Sequence, residues 1–102
     1  MVRINTTPEF EEWLSGLRNK EQALIEARFY RIKTSEHFGD CHFLEGTDNT
    51  IAELRWKNGL RIYFYREGKS TIRVLLGGMK NGQKKDIKKA GLLFKKYAHC
   101  KK

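Results

Sequence analysis

Apolar positions change period along the chain, and each change marks an element. Val2 to Asn5 alternates and predicts a short edge strand. Phe10, Trp13, Leu14 and Leu17 then fall at i, i+3, i+4 and i+7, one face of a helix. Its start lies in TTPEF. Thr6 can cap with Glu9 three residues on, or Thr7 can cap with Pro8 in the first helical position. Asn19 with Gln22 predicts the cap of a second helix, striped by Ile25, Phe29 and Ile32. Two helices joined this tightly form an antiparallel pair, with their aromatic residues in the core. Ser35 to Asn49, with Gly39, Asp40, Gly46 and Asp48, predicts a loop holding a short strand at Cys41 to Leu44.

Three segments of period two follow. Ala52, Leu54 and Trp56 alternate with Ile51, Glu53 and Arg55. Leu60, Ile62 and Phe64 alternate with Arg61, Tyr63 and Tyr65. Ile72, Val74 and Leu76 alternate with Thr71, Arg73 and Leu75. From about Gln83 the period is helical again. Ile87, Ala90, Gly91, Phe94 and Ala98 share a face, opposite Lys85, Lys88, Lys89, Lys95 and Lys96. No repeat, Pro-rich linker or composition shift divides the chain, so residues 1–102 form a single domain. The expected fold class is α+β: an antiparallel sheet with two N-terminal helices on one face and a C-terminal helix.

Turn chemistry sets the strand registers. A two-residue Asn58-Gly59 loop would put Trp56 and Arg61 on one face. A three-residue loop, Lys57-Asn58-Gly59 with Gly59 left-handed, pairs Trp56 with Leu60 and keeps every apolar residue together. It also pairs Arg55 with Arg61 and Glu53 with Tyr63. By the same logic the next turn centres on Gly68 and pairs Tyr63 with Arg73. The sheet then has one apolar face for the helices to cover. Its other face is open and bears Glu53, Arg55, Arg61, Tyr63, Tyr65 and Arg73. Like charges opposed across strands are destabilising, so Arg55 against Arg61 breaks a local rule and marks a candidate site. Cations interleaved with tyrosines suit a phosphodiester backbone with bases that stack.

Charge agrees with that reading. The net charge is +9, and it is uneven: Lys80 to Lys102 carries +8, whereas Met1 to Met79 carries +1. A basic end on a balanced body suits a polyanion or an acidic protein partner. With 39% hydrophobic residues the chain can close a core without disulfide or metal help. No apolar run approaches the roughly 20 residues that span a bilayer. The N-terminus MVRINTTPEFEEW lacks an apolar signal core, and the two cysteines are compatible with a reducing compartment, so the expected location is cytoplasmic. Cys41-His42 and His99-Cys100 offer four potential metal ligands, but their adjacent spacing is not that of zinc sites, and no metal or other cofactor is expected. His37 sits in a loop of unfixed position and receives no role.

The ordered motifs resemble a known family. FEEWLSGL at Phe10 to Leu17, HFGD at His37 to Asp40, ELRW at Glu53 to Trp56, LRIYF at Leu60 to Phe64 and LLGGMKNGQKKDIKKA at Leu75 to Ala90 together resemble the RelE/ParE superfamily. The nearest match is its HigB-like branch of addiction-module killer proteins. The resemblance covers nearly the whole chain and implies a RelE-like curved sheet. It also implies the toxin of a type II toxin–antitoxin pair, with a small helix-turn-helix, HigA-like antitoxin as partner. Many members cut mRNA in the ribosomal A site without a metal. The ribose 2′-hydroxyl attacks the adjacent phosphate, leaving a cyclic phosphate and a 5′-hydroxyl.

By position, Arg61 matches the family's motif arginine and is expected to clamp the scissile phosphate. Arg55 is the second cation, and Lys80, after a Gly77-Gly78 loop, the third. Here Met79 stands where the family usually has Asp. Glu53 and Tyr63 are the candidates for proton transfer, Glu53 as a base flanked by arginines, with Tyr63 also able to stack on a base. Tyr65, Arg73, Gln83, Lys84 and Lys85 complete the expected RNA-binding set, the helix start near Gln83 adding its amides. ParE-like relatives instead poison DNA gyrase by binding it, and the same fold serves both activities. A basic RNA-binding module without toxicity is a third reading.

Overall fold

A computed structural model describes residues 1–48 and 50–99. Five strands, β1 (Arg3–Thr6), β2 (Cys41–Phe43), β3 (Ile51–Arg55), β4 (Leu60–Gly68) and β5 (Thr71–Met79), form one sheet in the order β1-β5-β4-β3-β2. β1 runs parallel to β5, and every other neighbouring pair is antiparallel. Helices α1 (Pro8–Ser15) and α2 (Asn19–Ser35) cover one face. A short 3-10 turn, Lys80–Gly82, leads into α3 (Gln83–His99) on the other. Among the described residues no helix is long and apolar enough to cross a membrane.

The helix starts show which capping chemistry wins. Thr7 caps α1: its hydroxyl accepts from the Phe10 amide at 3.1 Å and donates to the Leu75 carbonyl at 2.7 Å, with Pro8 next in line. One buried side chain thus starts the helix and ties it to the sheet. Thr6 instead donates to Glu11. The expected Asn19 cap does not form. Arg18 occupies the cap position without a side-chain bond, and Gln22 reaches back to the Leu14 and Leu17 carbonyls at 3.0 Å each. That places α1 and α2 by satisfying the end of α1 rather than the start of α2.

The first hairpin has the expected register: Arg55 pairs with Arg61, Glu53 with Tyr63, and Gly59 takes a φ of 102°. The second does not. Its turn lies at Lys69-Ser70, with Gly68 still in β4 and paired with Thr71. Tyr63 pairs with Leu76 and Arg73 with Tyr65, not Tyr63 with Arg73. A bulge at Leu75 accounts for part of the shift. The extra residue turns both Leu75 and Leu76 away from the first core, where Leu76 was expected, into the second.

Two cores result. Phe10, Ile25, Ile32, Leu54, Leu60, Ile62, Ile72 and Val74 fill the first, between the sheet and α1–α2. Tyr63, Tyr65, Leu75, Leu76, Ala90 and Leu93 form the second, beneath α3. The expectation of an open second face is therefore wrong. The apolar stripe of α3 needs a partner, and the tyrosines and the bulged leucines provide it. Gly77 and Gly78 lie in β5 rather than in a loop, and each clears space for one layer. A Cβ on Gly77 would collide with the Trp13 ring, and one on Gly78 with the Asp86 carboxylate.

Candidate catalytic site at the end of the sheet

Glu53 is the hub. It lies in β3 with no exposed surface. Arg55 Nε donates to its Oε1 at 2.7 Å, and Arg61 Nε lies 3.9 Å from its Oε2. Gln83, the first residue of α3, donates to the same carboxylate through Nε2. Strand alternation puts Glu53 and Arg55 on one face, the register sets Arg61 beside Arg55, and α3 delivers Gln83 from above. The opposed arginines predicted from sequence are thus reconciled by one buried carboxylate between them.

The two guanidinium groups differ in access. The Arg55 side chain is 38% exposed and that of Arg61 only 11%. Glu53 raises the Arg55 pKa above its ordinary value through the hydrogen bond, so the group stays charged. Arg61 Nη1 donates to the carbonyls of Leu60 and Trp56, while its buried Nε has no hydrogen-bond partner among the described residues. The Tyr63 hydroxyl, also buried and without a hydrogen-bond partner among the described residues, lies beside Glu53. Burial, and next the Glu53 charge, push its pKa upward, so it remains a neutral phenol. Unmet buried donors in a native fold ask for an acceptor.

A groove of about 700 Å³ opens beside Arg55 toward the helix pair, where Arg18, Lys20, Arg28, Arg55 and Lys57 outnumber the acids Glu21 and Asp40. Arg28 builds its wall. From α2 it donates to the Arg55 carbonyl at 2.7 Å and the Phe38 carbonyl at 3.2 Å, and its guanidinium lies 4.2 Å from the centre of the Trp56 ring. Burial, then the charge of Arg31, lower its pKa. Sequence reasoning missed Arg28, Arg18, Lys20 and Lys57. Arg28 directly follows the apolar stripe position Ile25 at i+3, and that spacing was the available signal.

The remaining candidates separate. Lys80 is exposed at the same end of the sheet, its amide bonded to the Gly59 carbonyl at 2.8 Å. Lys84 and Lys85 are exposed on the first turn of α3. Tyr65 and Arg73 lie toward the far end of β4 and β5. There Arg73 donates to Glu67 at 2.8 Å, Asn5 donates to Glu67 at 3.0 Å, and Tyr65 packs edge-on against Phe94. They are not brought to the Arg55–Arg61 cluster. Cys41 and His42 face opposite sides, Cys41 against the first core and His42 exposed. Cys100 and the side chain of His99 lie outside the described residues. Among the described residues no three His, Cys, Asp or Glu side chains gather as metal ligands.

No family model matches the sequence. An uncharacterized protein of Haemophilus influenzae is 38% identical over 95 residues, covering 90% of this chain and 92% of that one. The chain belongs to the family of that protein. Its fold is that of RelE. The isolated E. coli RelE toxin superposes with a TM-score of 0.64 at 11% identity, over 86% of this chain and 97% of that one. A chain of the archaeal RelE–RelB complex of Pyrococcus horikoshii gives 0.62 at 14% identity, over 78% of this chain and 94% of that one. These likenesses fix the arrangement of sheet and helices. The chemistry has to be argued from the side chains.

Proposed function

We propose that this RelE-fold protein is the toxin of a type II toxin–antitoxin pair, of the HigB-like branch, acting in the cytoplasm as a ribosome-dependent mRNA endonuclease. The observation that carries the reading is a single buried carboxylate holding two guanidinium groups where a basic groove opens. Phosphate approaches along the groove, since α3 closes the face above. Arg55 meets it, Arg61 supplies a second charge from beneath, and Lys80 adds a third from the neighbouring turn. Such cations stabilise the extra charge of a phosphorane more than that of the starting diester. Glu53, wholly buried and engaged by three side chains, positions the arginines. The stacking surface offered to a base is Trp56, and Lys84 and Lys85 extend the positive field along α3.

Growth arrest on induced expression, with cleavage mapped on translated transcripts, tests this reading. Wild-type protein should leave 5′-hydroxyl ends, and Arg55→Ala should not. Leu24, Trp56 and Met79 give the groove an apolar side as well, which favours a protein target as the second reading. Under that reading transcripts stay intact and gyrase supercoiling stalls. Both readings require an antitoxin, for which we propose a small helix-turn-helix protein docking on the lysine-rich α3 or on the α1–α2 pair. A pull-down from the native host returning no small DNA-binding protein would count against it.

A further inference from the structure

Cleavage by a 2′-hydroxyl needs a group that takes its proton, and neither Glu53 nor Tyr63 is open to substrate. The same face holds another candidate. The ladder between β2 and β3 pairs His42 with Glu53, and the bond from the Arg55 amide to the Asp40 carbonyl, at 2.9 Å, continues that register to Asp40. Paired residues share a face. Asp40, Arg55 and Arg61 therefore form one row across three strands, and His42, Glu53 and Tyr63 form the next. His42 Nε2 lies 2.6 Å from Asp40 Oδ1, and their side chains are 51% and 58% exposed. A carboxylate only accepts, so Nε2–H donates and Nδ1 is left as the free acceptor. An acid holding one imidazole nitrogen and leaving the other free is the arrangement that fixes the tautomer in acid–base catalysis.

Resting on the ribonuclease reading above, we propose that His42, oriented by Asp40, is the general base that serves the Arg55–Arg61 phosphate site. His42 Nδ1 takes the proton from the 2′-hydroxyl as its oxygen forms a bond to phosphorus. The bond from phosphorus to the 5′ oxygen breaks, and that oxygen takes the electron pair and a proton from water. The imidazolium then returns its proton to water. Asp40, Glu53 and Arg55 are the charged groups that face His42 from its own loop and from β3.

The test is cleavage of a translated reporter mRNA by wild type, His42→Gln, Asp40→Asn and His37→Gln, with rates followed from pH 5 to 8. Removing a general base typically costs 10²–10⁴-fold, so His42→Gln should slow cleavage at least about 100-fold. It should also lose the rising limb of the wild-type pH profile. Asp40→Asn should fall between the two, and His37→Gln, an exposed histidine past the end of α2, should match wild type. If wild type cleaves and His42→Gln stays within about twofold with the same pH profile, the role of His42 is refuted while the nuclease stands. If wild type cleaves nothing, the nuclease reading falls and this role with it.

Discussion

The face covered by α3 holds two carboxylate clusters, and they are built to opposite ends. At the far end, nearly buried Glu67 takes Arg73 at 2.8 Å and Asn5 at 3.0 Å, while Arg73 also donates to the Thr6 carbonyl at 3.3 Å. The group ties β1, β4 and β5 together. At the near end, Glu53 meets two arginines, the Arg61 Nε lacks a hydrogen-bond partner among the described residues, and Arg55 looks out on a basic groove. The same helix lies over both, its sheet-facing side polar in the first turn and apolar beyond it. The far group ties strands together. A carboxylate outnumbered by guanidinium groups holds charge ready for an anion.

The largest expected effect comes from removing the hub. Glu53→Ala strands Arg61 as a buried charge and should cost about 3–5 kcal/mol of stability, measured by denaturant unfolding. A loss under about 1 kcal/mol would mean that the near cluster is not held by that carboxylate. Arg55→Ala should slow transcript cleavage about 10²–10³-fold, the range for losing one transition-state contact. Its stability should fall by about 1–3 kcal/mol, because the buried Glu53 carboxylate loses its 2.7 Å donor while keeping Gln83. Arg61→Ala is the poorer probe, since it removes buried contacts along with the charge. Arg73→Ala should lower stability by about 1–3 kcal/mol as well, but affect cleavage far less than Arg55→Ala does. Equal losses of activity at the two arginines would erase the distinction between the clusters.

The smallest effect is a pH dependence at Asp86, packed over Gly78. Burial raises its pKa, with Lys89 and Lys85 opposing. A carboxyl whose folded value lies above its unfolded one binds more protons when folded. Its favourable contribution is therefore present in acid and lost as pH rises through the folded value. The stability of wild type relative to Asp86→Asn should improve as pH falls from 7 toward 4, as paired melts at each pH would show.

The near cluster was legible in the sequence because it depends on local rules. Lys57-Asn58-Gly59 sets one register, and that register alone places Arg55 against Arg61 and Glu53 against Tyr63. The final helix and its apolar stripe were equally plain. Its docking was not, because Leu75-Leu76 reads as unbroken alternation and carries no mark of the bulge that turns both residues toward α3. Without the bulge the tyrosine face looks solvated, and Tyr65 and Arg73 look like neighbours of Arg61. Gly77-Gly78 reads as a turn for the same reason: nothing local announces Trp13 and Asp86 above those strand positions. Arg28 is a tertiary fact of the same kind, a helix residue that matters because it reaches the end of β3 and the Trp56 ring.

The central claim, that the outnumbered carboxylate marks an anion site, is tested most directly by following the arginine Nε–H signals during NMR titration with a trinucleotide carrying a 2′-deoxy sugar at the scissile position. The signals of Arg55 and Arg61 should shift together and saturably, while that of Arg73 stays in place. Shifts at Arg73, or none at Arg55 and Arg61, would contradict the claim.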